Sequence, residues 1–235
     1  MDLHQSEWNS GNQSVYYETM SGYTTKTFMW MFLGLLTTFG VALACFVTNV
    51  AYYLFSIPSM FILLALVELG VVIAFTAMIH KASVATARAL FFTYAAVNGV
   101  VFSSYLWLYE LGDILLAFVS AAFYFGIMAA YGYFTKKDLS GWRTPLMIGL
   151  IAMLVVGLLG MFLGGMMVAI YCMAGVVIFA CYTAYDTQKI KDYYIATAGQ
   201  EELAKKASIY AALNLYLDFI NLFLYLLRIF ARNKD

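Results

Sequence analysis

The stretch "ALNLYLDFINLFLYLLRI", residues 212–229, decides the fold. At about 1.5 Å per residue it is long enough, and apolar enough, to enter a hydrocarbon core about 30 Å thick. Yet it carries Asp218 at its centre, between Asn214 and Asn221. The rest of the chain sets the context for that acid. Of the 235 residues 64% are hydrophobic and 11% charged, the composition of an integral membrane protein. Seven apolar runs are long enough to span: about 27–49, 58–79, 89–109, 114–134, 144–163, 167–185 and 208–227. The expectation is therefore an all-α integral membrane protein with seven transmembrane helices over residues 27–230. A polar N-terminal tail, 1–26, precedes them and a short tail, 231–235, follows. The N-terminal tail lacks the basic, apolar and small-residue pattern of a cleavable signal peptide, so the first span is expected to target itself.

Of the 13 acidic and 13 basic side chains, only Glu68 and Asp218 fall inside the seven runs. A net charge of zero, with no clustered basic face, gives no reason to expect a nucleic-acid partner. Cys45, Cys172 and Cys181 all lie in apolar runs without metal-ligand spacing and read as small buried residues. No nucleophile–base set, phosphate loop or metal-ligand cluster appears, so neither an enzyme, a cofactor nor a structural metal site is expected.

Basic residues orient the chain, because short loops rich in Lys and Arg stay in the cytoplasm. Lys26, Lys81, Arg88, Lys136, Lys137, Arg143, Lys189, Lys191, Lys205 and Lys206 all flank one side, which places the N-terminus inside. Arg228, Arg232 and Lys234 then fall outside if the last run crosses. A re-entrant seventh segment would avoid that, but a run without Pro or Gly offers no place to turn back, and a crossing helix is the preferred reading.

Asn214, Asp218, Asn221, Tyr225 and Arg228 share an arc of about 80° on a helix, a polar stripe that must avoid lipid. The sixth run ends "CYTAYDTQKIKDYY", residues 181–194, and a turn-like "TAGQEE", residues 197–202, follows. A hairpin folded about residue 202 puts Asp186 and Asp218 at one level. Two carboxylates held close in low dielectric resist double ionisation, share a proton and titrate as a unit. Such a pair can tie two helices in one protonation state, release them in the other, and attract a hard cation such as calcium. An acid at a helix end, as Asp186 is, also has an ordinary interfacial reading.

Glu68 lies mid-span in the second run, where an uncompensated charge costs about 2.5–3.5 kcal/mol or more. It lines or gates an ion path, or makes an interhelical hydrogen bond, with Asn98 and the nearby Ser103 and Ser104 as polar neighbours. Gly160 and Gly164, with Gly157, read as a small-residue packing face.

"AYDTQKIK" at 184–191 and "LYLDFINLFLYLLRI" at 215–229 resemble the signature of the Bax inhibitor-1 family, and "TKKDLSG" at 135–141 resembles the connection after its fourth helix. The resemblance implies six helices, in two groups of three, around a central C-terminal helix. It also implies a pH-sensitive calcium leak governed by two aspartates, which match Asp186 and Asp218, with Glu68 matching the acid of the second helix. Bacterial relatives can carry an arginine at the end of the second helix that engages the aspartates. Here "AFTAMIHKAS" at 74–83 offers His80 and Lys81, with Arg88 further on, as the cationic latch. The absence of a Pro-rich N-terminal extension suits a member in a bacterial cytoplasmic (inner) membrane. Two other readings stand beside the leak channel: an interaction protein that modulates a membrane quality-control protease, and a proton-coupled transporter of a small solute. The expected surroundings are the lipid bilayer and calcium or another cation.

Overall fold

The computed structural model describes residues 18–57, 59–78, 83–159 and 165–232. Among them every regular element is helical: α1 (Met20–Val47), α2 (Val50–Phe55), α3 (Met60–Met78), α4 (Val84–Leu108), α5 (Leu111–Phe134), a short 3₁₀ turn (Ser140–Trp142), α6 (Arg143–Leu159), α7 (Gly165–Ala196) and α8 (Glu201–Arg232). Six of the described helices, α1 and α4 to α8, are long and apolar enough to cross a membrane. The second expected run is α3, whose apolar stretch, Ile62–Ile73, is shorter. One element was not anticipated. After α1 the chain turns through Asn49, whose φ of 57° lies in the left-handed region that Asn tolerates, and forms the six-residue α2.

Helix ends follow their sequence. Thr19 caps α1 by accepting from the Gly22 amide at 3.1 Å, and Ser83 caps α4 by accepting from the Thr86 amide at 3.2 Å. Acids at the start of α8, Glu201 and Glu202, suit the positive end of its dipole. They pair one turn on with Lys205 at 2.6 Å and Lys206 at 3.7 Å. The turn between α7 and α8 occupies residues 197–200, with Gly199 at φ 79°, a conformation that favours glycine.

Burial ranks the helices. In α8, 67% of the apolar window is buried, against 11% in α6, and α8 packs against α1, α4, α5 and α7. Its core residues include Ile209, Leu213, Leu215, Tyr216, Leu222, Phe223 and Leu227, all at 2% exposure or less. Tyr216 sets α8 against α1 and α4: its hydroxyl meets Thr38 Oγ1 at 2.7 Å, and its ring packs edge-on to Phe91 and Tyr94. Most large apolar side chains of α6, among them Ile148, Ile151 and Leu154, face outward, as lipid contact requires, while Leu146 and Met153 turn inward.

The α5–α7 contact is closer than side chains normally allow. A Cβ on Gly132 would collide with the Ala184 carbonyl, so only glycine permits this approach. Below it, the Gln188 amide reaches across to the connection after α5, accepting from the Leu139 amide at 2.7 Å and donating to the Lys137 carbonyl at 2.8 Å. Lys191 adds a bond to the Tyr133 carbonyl at the end of α5, where a cation suits the helix dipole. Residues 135–142 are thereby fixed against α7. Gly157 lies against the Tyr171 hydroxyl, while Gly160 and Gly164 fall outside the described residues.

Candidate functional site

α7 and α8 form an antiparallel hairpin, and their continuation as helices past the apolar runs carries Asp186 and Asp218 to each other. The two carboxyl groups lie within hydrogen-bonding and electrostatic reach of one another. Carboxylates only accept, so a hydrogen bond between two of them requires a shared proton. Asp218 is 3% exposed and Asp186 half-buried. The turn lies short of residue 202, yet the pair still meets. Side chains lean toward the N-terminus of their own helix, so Asp218 reaches toward the turn and Asp186 away from it, which narrows the difference in height.

The surroundings of the pair are hydroxyl-rich. Tyr182, one turn from Asp186, lies within electrostatic reach of both aspartates, and Tyr193, two turns the other way, within reach of Asp186. Lys189 also acts on Asp186, but its ammonium is engaged by Asp192 at 2.9 Å. Asp218 Oδ2 is buried without a hydrogen-bond partner.

The other stripe residues divide. Asn214 is half-buried beside Asp218, whereas Asn221 donates to the Leu217 carbonyl of its own helix at 2.8 Å and so is satisfied locally. Tyr225 meets Tyr171 of α7, hydroxyl to hydroxyl, at 3.2 Å. Arg228 is exposed and lies within electrostatic reach of Tyr105 of α4.

Glu68 belongs to a separate polar group. From α3 it acts electrostatically on Tyr94, Tyr105 and Tyr216, while its Oε1 is buried without a partner. Asn98, buried one turn on from Tyr94, donates to the Tyr94 backbone carbonyl of its own helix at 3.5 Å. Ser103 and Ser104 likewise donate to the carbonyls of Val100 and Val101 in their own helix.

Of the expected cations, His80 and Lys81 lie outside the described residues. Arg88 stacks over the Trp30 ring at 5.0 Å and borders an open groove with Glu201, Glu202 and Lys205 at the start of α8. That position is not beside the aspartates. Among the described residues no three His, Cys, Asp or Glu side chains are placed to hold a metal. Sequence reading missed Tyr182 and Tyr193, although both lie on the Asp186 face by helical spacing, at four residues before and seven after it.

The family model described as "Inhibitor of apoptosis-promoting Bax1" matches residues 20–235. The inner membrane protein YbhL of Escherichia coli strain K12 is 41% identical over 217 residues, which cover 90% of this chain and 92% of that protein. The uncharacterized protein RP147 of Rickettsia prowazekii is 32% identical over 237 residues, the full length of both chains. An uncharacterized protein of Deinococcus radiodurans is 36% identical over 208 residues, 88% of this chain and 89% of that one. The match begins at the first residue of α1 and runs through the aspartate hairpin, and this chain belongs to the Bax inhibitor-1 family of multi-pass integral membrane proteins.

Proposed function

We propose that this protein is a pH-sensitive calcium leak channel in which Asp186 and Asp218 form the proton switch. The single observation that carries this reading is the close approach of two carboxyl groups from the neighbouring helices α7 and α8. With one proton shared, the bond ties α7 to α8. With the proton gone, two like charges face each other in a medium of low dielectric, and their repulsion parts the helices. In the same reading α3 also crosses the membrane, six helices enclose α8, and the N-terminus is cytoplasmic in a bacterial inner membrane. Glu68 then lines or gates the path on the far side of α8 from the aspartates. Carboxylate and hydroxyl oxygens are the ligands that a hard cation such as calcium takes.

The test is calcium flux from loaded vesicles containing purified protein, measured against pH. The wild type is expected to show a step, and Asp186→Asn and Asp218→Asn to flatten it. Wild-type pH dependence in both variants would sink the assignment.

A second reading rests on the connection after α5. Lys136, Lys137 and Asp138 are exposed on a segment that Gln188 holds in fixed shape, as a docking surface for a membrane partner such as a quality-control protease would require. Co-purification with a protease, lost on reversing these charges, together with no flux in pure vesicles, would favour it.

A further inference from the structure

Among the described residues, besides Glu68 Oε1, four side-chain oxygens are buried without a partner: the Tyr23 hydroxyl, Thr24 Oγ1, Thr187 Oγ1 and Asp218 Oδ2. All four belong to residues at most 7% exposed. Their positions are related. Tyr193 lies two turns from Asp186 on the same face of α7, within electrostatic reach of it, and its ring meets Tyr210 of α8 at 6.0 Å. Tyr23 of α1 is in turn within electrostatic reach of Tyr193 and of Glu18, just before α1, and its ring lies 5.7 Å from Tyr194. Tyr194 donates to the Glu18 carbonyl at 2.9 Å, at the end of the bundle where α1 begins. Thr187, two turns from Tyr194, continues that second file toward the aspartates. Elsewhere in the buried core Thr27 of α1 and Ser208 of α8 meet hydroxyl to hydroxyl at 2.9 Å. Buried polar atoms are rarely left unpaired, and water is their ordinary partner in a site lined by several such groups.

We infer that these hydroxyls, bridged by water, form a proton route between the α7–α8 turn end of the bundle and the Asp186–Asp218 pair, so that the switch reads the pH of that side. The inference rests on the pair being a proton switch. It adds how the proton arrives. At each step a hydroxyl oxygen receives a proton from the water behind it and releases its own to the water ahead, and the last acceptor is an aspartate oxygen. One proton moves in net, and no other bond changes.

On the turn side of the pair α7 supplies Lys189 and Tyr193, while Tyr182 lies one turn beyond it; Tyr210 of α8 and Tyr23 of α1 lie within electrostatic reach of Tyr193 and lead from it toward the turn end. α5, also packed on both helices, carries its one acid, Asp113, in its first turn at the opposite end. Arg143, at the start of α6, acts on Tyr185 and Lys189 rather than on the aspartates.

The experiment follows the protonated carboxyl directly, without any flux measurement. Time-resolved infrared spectra of the purified full chain after a pH jump give the rate at which the acid band disappears, the band being assigned by its loss in Asp218→Asn. Tyr193→Phe and Tyr23→Phe keep their ring contacts and are expected to slow that rate at least about tenfold, the scale of a lost proton-transfer group. Tyr225→Phe, toward the other end of α8, is expected to leave it unchanged. Wild-type rates in both Tyr193→Phe and Tyr23→Phe, or equal slowing in Tyr225→Phe, overturn the route while leaving the switch intact. Absence of any band that Asp218→Asn removes overturns the switch, and the route with it.

Discussion

Glu68 and Asp218 are the two acids that the apolar runs contain, and the structure treats them differently. Asp218 faces a second carboxyl across a hairpin, a partner that changes charge with it. Glu68 faces tyrosine hydroxyls, contributed by α4 and α8, which remain neutral across ordinary pH. The contrast shows that burial of an acid does not by itself make a switch. A switch needs a neighbour whose repulsion or attraction depends on the same proton, and of these two acids Asp218 is the one that faces such a neighbour among the described residues.

The largest expected effect breaks the contrast outright. Asp218→Asn is expected to abolish the pH step in calcium flux, whereas Glu68→Gln keeps the step at the same pH and lowers the flux on both sides of it. If Glu68→Gln moves the step as far as Asp218→Asn does, the two acids act as one site and the distinction fails.

The next effect tests whether Asp186 is held by its scaffold. Gly132→Ala forces a Cβ against the Ala184 carbonyl, two residues before Asp186, and overpacking of this kind costs roughly 1–3 kcal/mol. Reversible unfolding in detergent should show that loss, and the flux step should shift in pH because α7 no longer presents Asp186 at the same place. The Glu68 side of the molecule is expected to respond less. Thr38→Val removes the 2.7 Å bond to Tyr216 and the 2.9 Å bond to the Ala95 carbonyl of α4, and should cost about 1 kcal/mol at an average of about 0.6 for each such bond between membrane helices, with the flux step unmoved.

The smallest effect lies outside both acids. The bond to the Ser140 side chain, and then that to its amide at 2.8 Å, hold the exposed Asp138 carboxyl below the usual carboxylate range. A depressed folded-state value means that its stabilisation is present above the unfolded pKa and fades as pH falls through the folded one. Asp138→Asn should therefore leave flux unchanged and remove only the acid-side rise in amide exchange at Ser140.

Much of this was legible in the sequence because lipid imposes simple rules. Length and apolarity marked seven runs, and the stripe of α8 followed from helical periodicity, which the continuous helix Glu201–Arg232 preserves. Asp186 could be matched to Asp218 because a hairpin converts sequence distance into height. What periodicity does not encode is which helix lies opposite. Nothing local in "GYFTKK", residues 132–137, announces that Gly132 admits the Ala184 carbonyl, or that Gln188 will grip the connection after it. The same limit hid the split of the stripe, in which Asp218 and Tyr225 turn to α7, Arg228 to α4 and Asn221 back on its own helix. Ser103 and Ser104 looked like partners for Glu68 by position, but a hydroxyl in a helix readily satisfies itself on the preceding turn.

The four-residue turn between α7 and α8 also bears on how the protein reaches its membrane. A single acid entering hydrocarbon on its own helix carries a penalty of about 2.5–3.5 kcal/mol or more at the centre. Here both acids arrive on consecutive segments of one nascent chain, and the short link lets them meet as soon as the second segment leaves the translocon. In the proposed reading the hairpin enters with its two carboxyls side by side and one proton between them, before α1, α4 and α5 close around α8.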